Sequence, residues 1–206
     1  MGSAHPVALQ SLIQRGQVFR GFTQQEDVAE PVASSGYPAL DKALGGGLSY
    51  GQLHEVQLPS VFAGESRLFR AALAQAEAAE QAVFWFNPPA QPHLAGLGQS
   101  QARHVVVAPL GTQELVWAVA QTLQEMSAGL LMVWAEQLPP QAVRTWQRCL
   151  QGELLALVFT NYMNPEARAY NTRLRLQLQQ QQVRWQVIKR SGGWPCELAG
   201  EALQPW

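Results

Sequence analysis

Phosphate binding is the first chemistry that the residue pattern suggests, because a glycine-rich stretch runs from Leu44 to Gly51. Phosphate-binding loops of the pattern G-x-x-x-x-G-K-[ST] hold phosphate with backbone N–H groups and with a lysine that meets the terminal phosphates. The chain has two lysines, Lys42 and Lys189, and they are followed by Ala43 and Arg190, so neither closes such a loop. The glycines alone are weak evidence, since glycine also serves turns.

Metal and nucleophile chemistry have weaker support. The histidines have no metal-binding spacing, and each is predicted to be a surface or strand residue. Two cysteines are too few for a disulfide framework or a four-ligand zinc site, and they suggest a reducing compartment. Cys149 is predicted to be a small core residue on a helix, and nothing near Cys196 marks a nucleophile. The histidines are His5, His54, His93 and His104.

The order of strand-like and helix-like segments predicts the scaffold. Short apolar runs alternate with amphipathic helical patterns, which is typical of a parallel sheet covered on both faces. Residues 172–178 and 183–190 instead alternate with period two, which predicts an antiparallel hairpin joined at 179–182. The predicted fold is α/β, a mostly parallel sheet with helices on both faces and a C-terminal hairpin. The predicted strands are 53–58, 82–86, 104–110, 129–134 and 154–160, and the predicted helices are 66–81, 112–127 and 140–151.

The N-terminal part is predicted to be separate from this core. Residues 7–22 read as a short amphipathic helix, and residues 23–35 are polar, acidic and interrupted by Pro31, as in a linker. The apolar stripe of the helix consists of Leu9, Leu12, Ile13 and Phe19. The expected organisation is an N-terminal helix and linker over 1–34, a core domain over 35–196 and a tail over 197–206.

Composition limits the classes of function. The chain has 206 residues and a formal charge of -1, so one domain is expected and no global field attracts nucleic acid or a membrane. No apolar run approaches the roughly 20 residues of a membrane-spanning helix. The first residues lack the pattern of a secretion signal. A cytoplasmic protein without membrane contact is expected.

The stretch SGYPALDKALGGGLSYGQLHEV at residues 35–56 resembles the segment that leads into the first core strand of the RecA recombinase family. The resemblance implies a RecA-like core with a phosphate-binding loop at residues 59–66. In that loop Pro59 replaces the first glycine, and Glu65 follows Gly64 where the lysine is expected. Ser66 keeps the hydroxyl, but a carboxylate repels phosphate, so a degenerate loop, no cofactor and no catalysis are expected.

The acidic positions of such a core lead to the same expectation. The strand that ends at Trp134 is followed by Ala135, and Glu136 comes too late for the metal-binding carboxylate. The strand that ends at Phe86 is followed by Asn87, where recombinases carry acidic residues, so no water-activating base is evident.

Four segments together resemble the ImuA/SulA family of bacterial SOS-response proteins. They are 12–21 (LIQRGQVFRG), 36–56, 83–89 (VFWFNPP) and 189–193 (KRSGG). The long lead from Gly36 to Glu55 and the complete hairpin favour the ImuA branch over the SulA branch.

The resemblance implies a non-catalytic accessory protein of SOS-induced translesion DNA synthesis, a pathway of DNA damage tolerance, repair and mutagenesis. Its expected partners are RecA and ImuB. The first alternative is a SulA-type inhibitor of cell division that binds FtsZ. The second is an active RecA-type ATPase.

Two partner-binding surfaces are predicted. The C-terminal hairpin carries no acidic residue between Ala167 and Cys196, and its arginines are expected on outward faces, ready for single-stranded DNA or an acidic protein surface. The alternative is an ordinary solvated strand face. The N-terminal helix is expected to dock on RecA or on a second copy of the chain, and the alternative is that it covers its own domain. The hairpin residues are Arg173, Arg175, Arg184, Lys189 and Arg190.

Overall fold

The computed structural model describes residues 31–60, 63–93, 103–108, 110–161, 169–179 and 182–203. The strands are β1 (Val32–Ala33), β2 (Leu48–Ser49), β3 (Gln52–Leu58), β4 (Val83–Phe86), β5 (His104–Val107), β6 (Ala128–Trp134), β7 (Glu153–Asn161), β8 (Thr172–Gln179), β9 (Gln182–Lys189), β10 (Cys196–Glu197) and β11 (Glu201–Ala202). The helices are α1 (Pro38–Ala43), α2 (Glu65–Leu68), α3 (Arg70–Ala78), α4 (Thr112–Glu125) and α5 (Pro140–Cys149).

One large sheet organises these elements. Its strand order is β10-β9-β8-β3-β7-β6-β4-β5, and β11 also pairs with β9. The six strands from β8 to β5 in this order run parallel, whereas β9 is antiparallel to β8, β10 and β11. β1 and β2 form a separate antiparallel pair. The α/β class with a mostly parallel sheet and a C-terminal antiparallel part is therefore confirmed.

The two faces of the sheet carry two hydrophobic cores. Successive side chains of a strand point to opposite faces, so a strand such as β7 contributes alternate residues to each core. On one face, Leu40 of α1 and Leu73 of α3 pack on the sheet together with Trp185 of β9. On the other, Val119 of α4 and Trp146 of α5 pack on it. This two-sided cover explains why β6 and β7 read as continuous apolar runs.

Three boundaries differ from the sequence-based expectations. The predicted linker over 23–35 ends in folded structure, because Val32 and Ala33 form β1 and Ser35 is buried. The predicted tail over 197–206 also contributes to the sheet, since Glu201 and Ala202 pair with β9. The predicted helix over 66–81 is interrupted at Phe69, where φ is -108° and ψ is 27°. Short paired segments of two residues carry no periodicity from which they could be predicted.

Within the described part of the chain, no helix is both long enough and apolar enough to cross a lipid bilayer.

Candidate functional site

The loop after β3 occupies the position of the expected phosphate-binding loop. Pro59 and Ser60, which follow the strand, are exposed. Gly64 begins α2 with a φ of 81°, a left-handed conformation that glycine adopts without strain. Ser66 lies within α2, and its side chain is outside the described part of the structure.

Glu65 is the residue where the resemblance places the lysine. Its side chain is buried, with 4% of its surface exposed, and its Oε1 atom has no hydrogen-bond partner among the described residues. Glu65 supplies no cation beside the loop, so a phosphate there would lack the positive charge that a lysine provides.

A cleft of about 750 Å³ opens at the carboxyl ends of the parallel strands. Ligands of α/β proteins commonly bind at this edge of the sheet. Trp134 and Phe159 contribute aromatic surface to it, and their ring centroids are 4.7 Å apart. Glu136 is the only charged side chain among the described residues that line the cleft. These lining residues offer no cation to a phosphate group.

The two positions expected to lack catalytic carboxylates have structural surroundings of their own. Glu136 is exposed on the loop after β6. Asn87 adopts a φ of 50°, which asparagine tolerates better than most residues. Its amide Nδ2 donates to the carbonyl of Leu110 at 2.9 Å, and its Oδ1 accepts the N–H of Leu110 at 2.8 Å. The Asn87 side chain therefore joins the end of β4 to the segment before α4.

Arg173 does not lie on an exposed face, so that expectation is wrong. Only 4% of its surface is exposed, and its Nε donates to Oε2 of Glu55 at 2.5 Å. Glu55 is fully buried and also accepts a hydrogen bond at Oε1 from the Thr160 hydroxyl at 3.1 Å. The reason is register, because Glu55 of β3 stands directly beside Arg173 of β8.

The next pair along the same two strands repeats this arrangement with a neutral partner. Arg175 stands beside Gln57, and its Nε and Nη2 donate to the Gln57 Oε1 at 3.1 and 3.0 Å. Its Nη1 donates to Oε1 of Gln186 in β9 at 3.5 Å. The Arg175 side chain is half-buried, so part of it still reaches solvent.

The other basic residues of the hairpin are closer to solvent. Arg184 and Lys189 are exposed and Arg190 is half-buried. The Lys189 Nζ donates to the carbonyl of Tyr170 at 2.6 Å. The Arg190 guanidinium donates to the carbonyls of Ala43 and Trp194. The basic surface predicted from the hairpin is thus divided, with Arg173 buried, Arg175 and Arg190 half-buried, and the other two residues exposed.

Two histidines have defined structural roles. His54 in β3 is buried, and its Nε2 lies 2.9 Å from the carbonyl oxygen of Ser49. Burial lowers the pKa of His54 to about 4 despite this hydrogen bond. His104 lies between Trp85, whose Nε1 donates to its Nδ1 at 3.2 Å, and Glu77, 3.4 Å from its Nε2.

Metal binding finds no support in the described residues. Nowhere in them do three or more His, Cys, Asp or Glu side chains form a group that could hold a metal ion. Cys149 and Cys196 are half-buried and free.

The predicted contact residues of the N-terminal helix lie outside the described residues. They are Leu9, Leu12, Ile13 and Phe19. Their role in partner binding stays a prediction.

Sequence reasoning missed the polar pairs between β3 and β8. The signal was present, because Glu55 and Gln57 are two apart in one strand and Arg173 and Arg175 are two apart in the other. Matching spacing of opposite or complementary groups predicts neighbouring strands. It also missed Trp194, whose side chain is 83% exposed and which follows two glycines in the sequence.

Neither the models of protein families nor the curated proteins contain a match to this chain.

Proposed function

We propose that this chain is a non-catalytic, RecA-like accessory protein of SOS-induced translesion DNA synthesis, which acts by binding RecA and ImuB. The loop after β3 carries the argument against catalysis, since Glu65 stands in place of the lysine and its carboxylate is buried. The proposal as a whole rests on the sequence resemblance to the ImuA/SulA family.

The position of β3 supports the RecA-like part of the proposal. In the RecA family a core strand feeds the phosphate-binding loop. Here β3 lies inside the parallel sheet between β7 and β8, and the degenerate loop follows its carboxyl end at the cleft. A scaffold of this kind with no cation among the described cleft residues suits binding of proteins better than turnover of nucleotides.

Partner capture tests the proposal directly. The full chain, immobilised, is offered purified RecA, ImuB and FtsZ in parallel. We expect RecA and ImuB to be retained and FtsZ to pass through. Retention of FtsZ alone, with inhibition of its polymerisation, would replace the proposal by a SulA-type role in cell division.

Nucleotide turnover tests the enzyme alternative. We expect no measurable hydrolysis of ATP or GTP, with or without single-stranded DNA, because no lysine follows Gly64 and Glu65 repels phosphate. RecA serves as the positive control in the same assay. Turnover that is lost when the loop over 59–66 is altered would show an active ATPase.

Deletion of residues 1–30 tests the N-terminal helix. The compact unit that the structure describes begins at Pro31. We expect the shortened chain to keep its cooperative unfolding and thermal midpoint but to lose retention of RecA. Aggregation or an earlier midpoint would mean that the segment covers its own domain.

A further inference from the structure

Two tryptophans of the described chain are largely exposed, Trp117 in α4 at 67% and Trp194 after β9 at 83%. Large aromatic side chains are usually at least partly covered in a folded domain, so such exposure draws attention to their surroundings. The surroundings differ. Trp117 lies on a helix face with Gln113 and Gln121, whereas Trp194 follows a basic turn.

The turn before Trp194 is fixed in place. Arg190 and Gly193 form an isolated β-bridge, and a methyl group at Gly193 would collide with the Arg190 side chain, which lies across it. From there the Arg190 Nε donates to the Trp194 carbonyl at 3.1 Å, and its Nη1 donates to the carbonyl of Ala43 at the end of α1. The arginine therefore holds the Trp194 backbone against the end of this helix.

This contact brings basic residues from distant parts of the sequence to one place. Lys42, which is exposed, directly precedes Ala43, and Lys189 directly precedes Arg190. Lys42 therefore lies beside this turn, whereas the Lys189 side chain points to the other face of β9 and donates its Nζ to the carbonyl of Tyr170. We define the Trp194 surface as Lys42, Arg190 and Trp194.

The carboxylates near this surface in the sequence are engaged by other groups. Asp41 accepts hydrogen bonds from the Ser35 N–H at 2.8 Å and from the Ser34 hydroxyl at 2.7 Å. Glu197 accepts one from the Gln186 amide at 3.4 Å. Lys42, Arg190 and an exposed indole characterise the surface.

We propose that the Trp194 surface binds single-stranded nucleic acid. An indole face offers stacking to an unpaired base, and lysine and arginine side chains neutralise the phosphates on either side. Duplex DNA keeps its bases stacked on one another and has no free face for the indole. An acidic peptide would use the cations but would gain nothing specific from an aromatic face. This binding is independent of the proposed binding to RecA and ImuB.

Fluorescence anisotropy tests the proposal with the full chain and a labelled thymine oligonucleotide of about 15 nucleotides, a length that covers one binding site. We expect Trp194→Ala to weaken binding by about 5- to 150-fold, the fold-change of losing one stacked base. Trp194→Phe should retain most of the affinity, because it keeps an aromatic face. Trp117→Ala, the matched exposed tryptophan, should leave the affinity unchanged.

The salt dependence tests the cations separately. Lys42→Ala should lower the slope of log affinity against log salt by about 0.7, as for one phosphate contact on a single strand. The matched control is Arg144→Ala, which removes an exposed arginine of α5 on the other face of the sheet and should leave the slope unchanged. A uridine oligonucleotide run in parallel distinguishes RNA from DNA as the preferred strand.

Four results would overturn the proposal. They are no binding of either oligonucleotide at low salt, unchanged binding by Trp194→Ala, equal weakening by Trp194→Ala and Trp117→Ala, and binding of polyglutamate with the same loss in the variants. Retention of RecA and ImuB by Trp194→Ala, measured in the same preparation, separates a failure of this proposal from a failure of the proposed function.

Discussion

A buried ion pair joins β3 to β8, two neighbouring strands that are far apart in the sequence. Glu55 and Arg173 are 118 residues apart, and both side chains are almost completely excluded from solvent. A buried ion pair stabilises little relative to apolar residues of the same size, but a buried charge left without its partner is strongly destabilising. The pair therefore determines which strand lies beside β3 more than it adds to stability.

This leads to a prediction for three variants. Arg173→Met should lower the free energy of unfolding by about 3–5 kcal/mol, because Glu55 is left buried without its cation. A second substitution, Glu55→Met, added to Arg173→Met should recover most of that loss. Urea denaturation at neutral pH gives the three free energies.

Arg184→Met is the matched control, since it removes an exposed arginine from β9. Its free energy of unfolding should stay within about 0.5 kcal/mol of the parent protein. A double variant less stable than Arg173→Met would contradict this account.

His54 makes stability depend on pH. Its pKa is about 4 in the folded protein, against 6.5 for an ordinary histidine, because burial disfavours the charged ring. Between these values the unfolded chain binds the proton and the folded chain does not, so stability falls as the pH falls. The full loss, reached below pH 4, is about 3 kcal/mol.

We therefore expect His54→Gln to flatten this dependence. Urea denaturation of the parent protein and the variant at pH 7 and pH 4 gives the difference between them at each pH. On acidification that difference should shift by about 3 kcal/mol in favour of the variant. The carboxylates titrate in both proteins, so their contribution cancels in the difference. A difference that is the same at pH 7 and pH 4 would show that His54 takes up its proton in the folded protein as readily as in the unfolded chain.

The pairing of β1 with β2 depends on a glycine that no other residue can replace easily. Gly47 precedes β2 with a φ of 151°, and a Cβ atom there would collide with the carbonyl of Ala33 in β1. Gly45 also has a positive φ, 85°, but a Cβ atom there would have no atom within 4 Å. A substitution at Gly45 therefore tests backbone conformation alone, whereas a substitution at Gly47 tests backbone conformation and steric contact together.

The two alanine variants should differ accordingly. Gly45→Ala should lower the free energy of unfolding by about 1–2 kcal/mol, the cost of a left-handed conformation. Gly47→Ala should lower it by about 2–5 kcal/mol, because overpacking against the Ala33 carbonyl is added to the same strain. Thermal or urea denaturation distinguishes the two variants. Equal losses would mean that β1 moves away from the new Cβ atom at position 47 with no further loss of stability.

Elements with a long periodic pattern could be predicted from the sequence, and short ones could not. β6 and β7 are buried on both faces and read as continuous apolar runs, so their existence and type were confirmed. β10 and β11 have two residues each, and only the edge of β9 makes them strands. The exposure of Arg173 was predicted wrongly because period two gives the face of a strand but does not say what covers that face.

At the scale of the whole molecule, the cleft and the Trp194 surface lie on different parts of the fold. The carboxyl ends of the parallel strands meet at the cleft, where Glu136 is the only charged side chain among the described lining residues. Exposed basic residues lie elsewhere, on α1 and α5 as well as on the antiparallel part, where Trp194 is also exposed. RecA binding is proposed for the N-terminal helix and nucleic-acid binding for the Trp194 surface, which is why their experiments can be separated.

The central position of β3 also has a consequence during protein synthesis. Its two neighbours in the sheet, β7 and β8, lie about a hundred residues later in the chain. At a translation rate of about 5–20 residues per second, the 118 residues from Glu55 to Arg173 take roughly 6–24 seconds to make. Until β7 is made both edges of β3 are open to other nascent chains and to chaperones, and the edge that β8 covers stays open until the interval ends. The sheet is completed from its middle only when the last third of the chain has emerged from the ribosome.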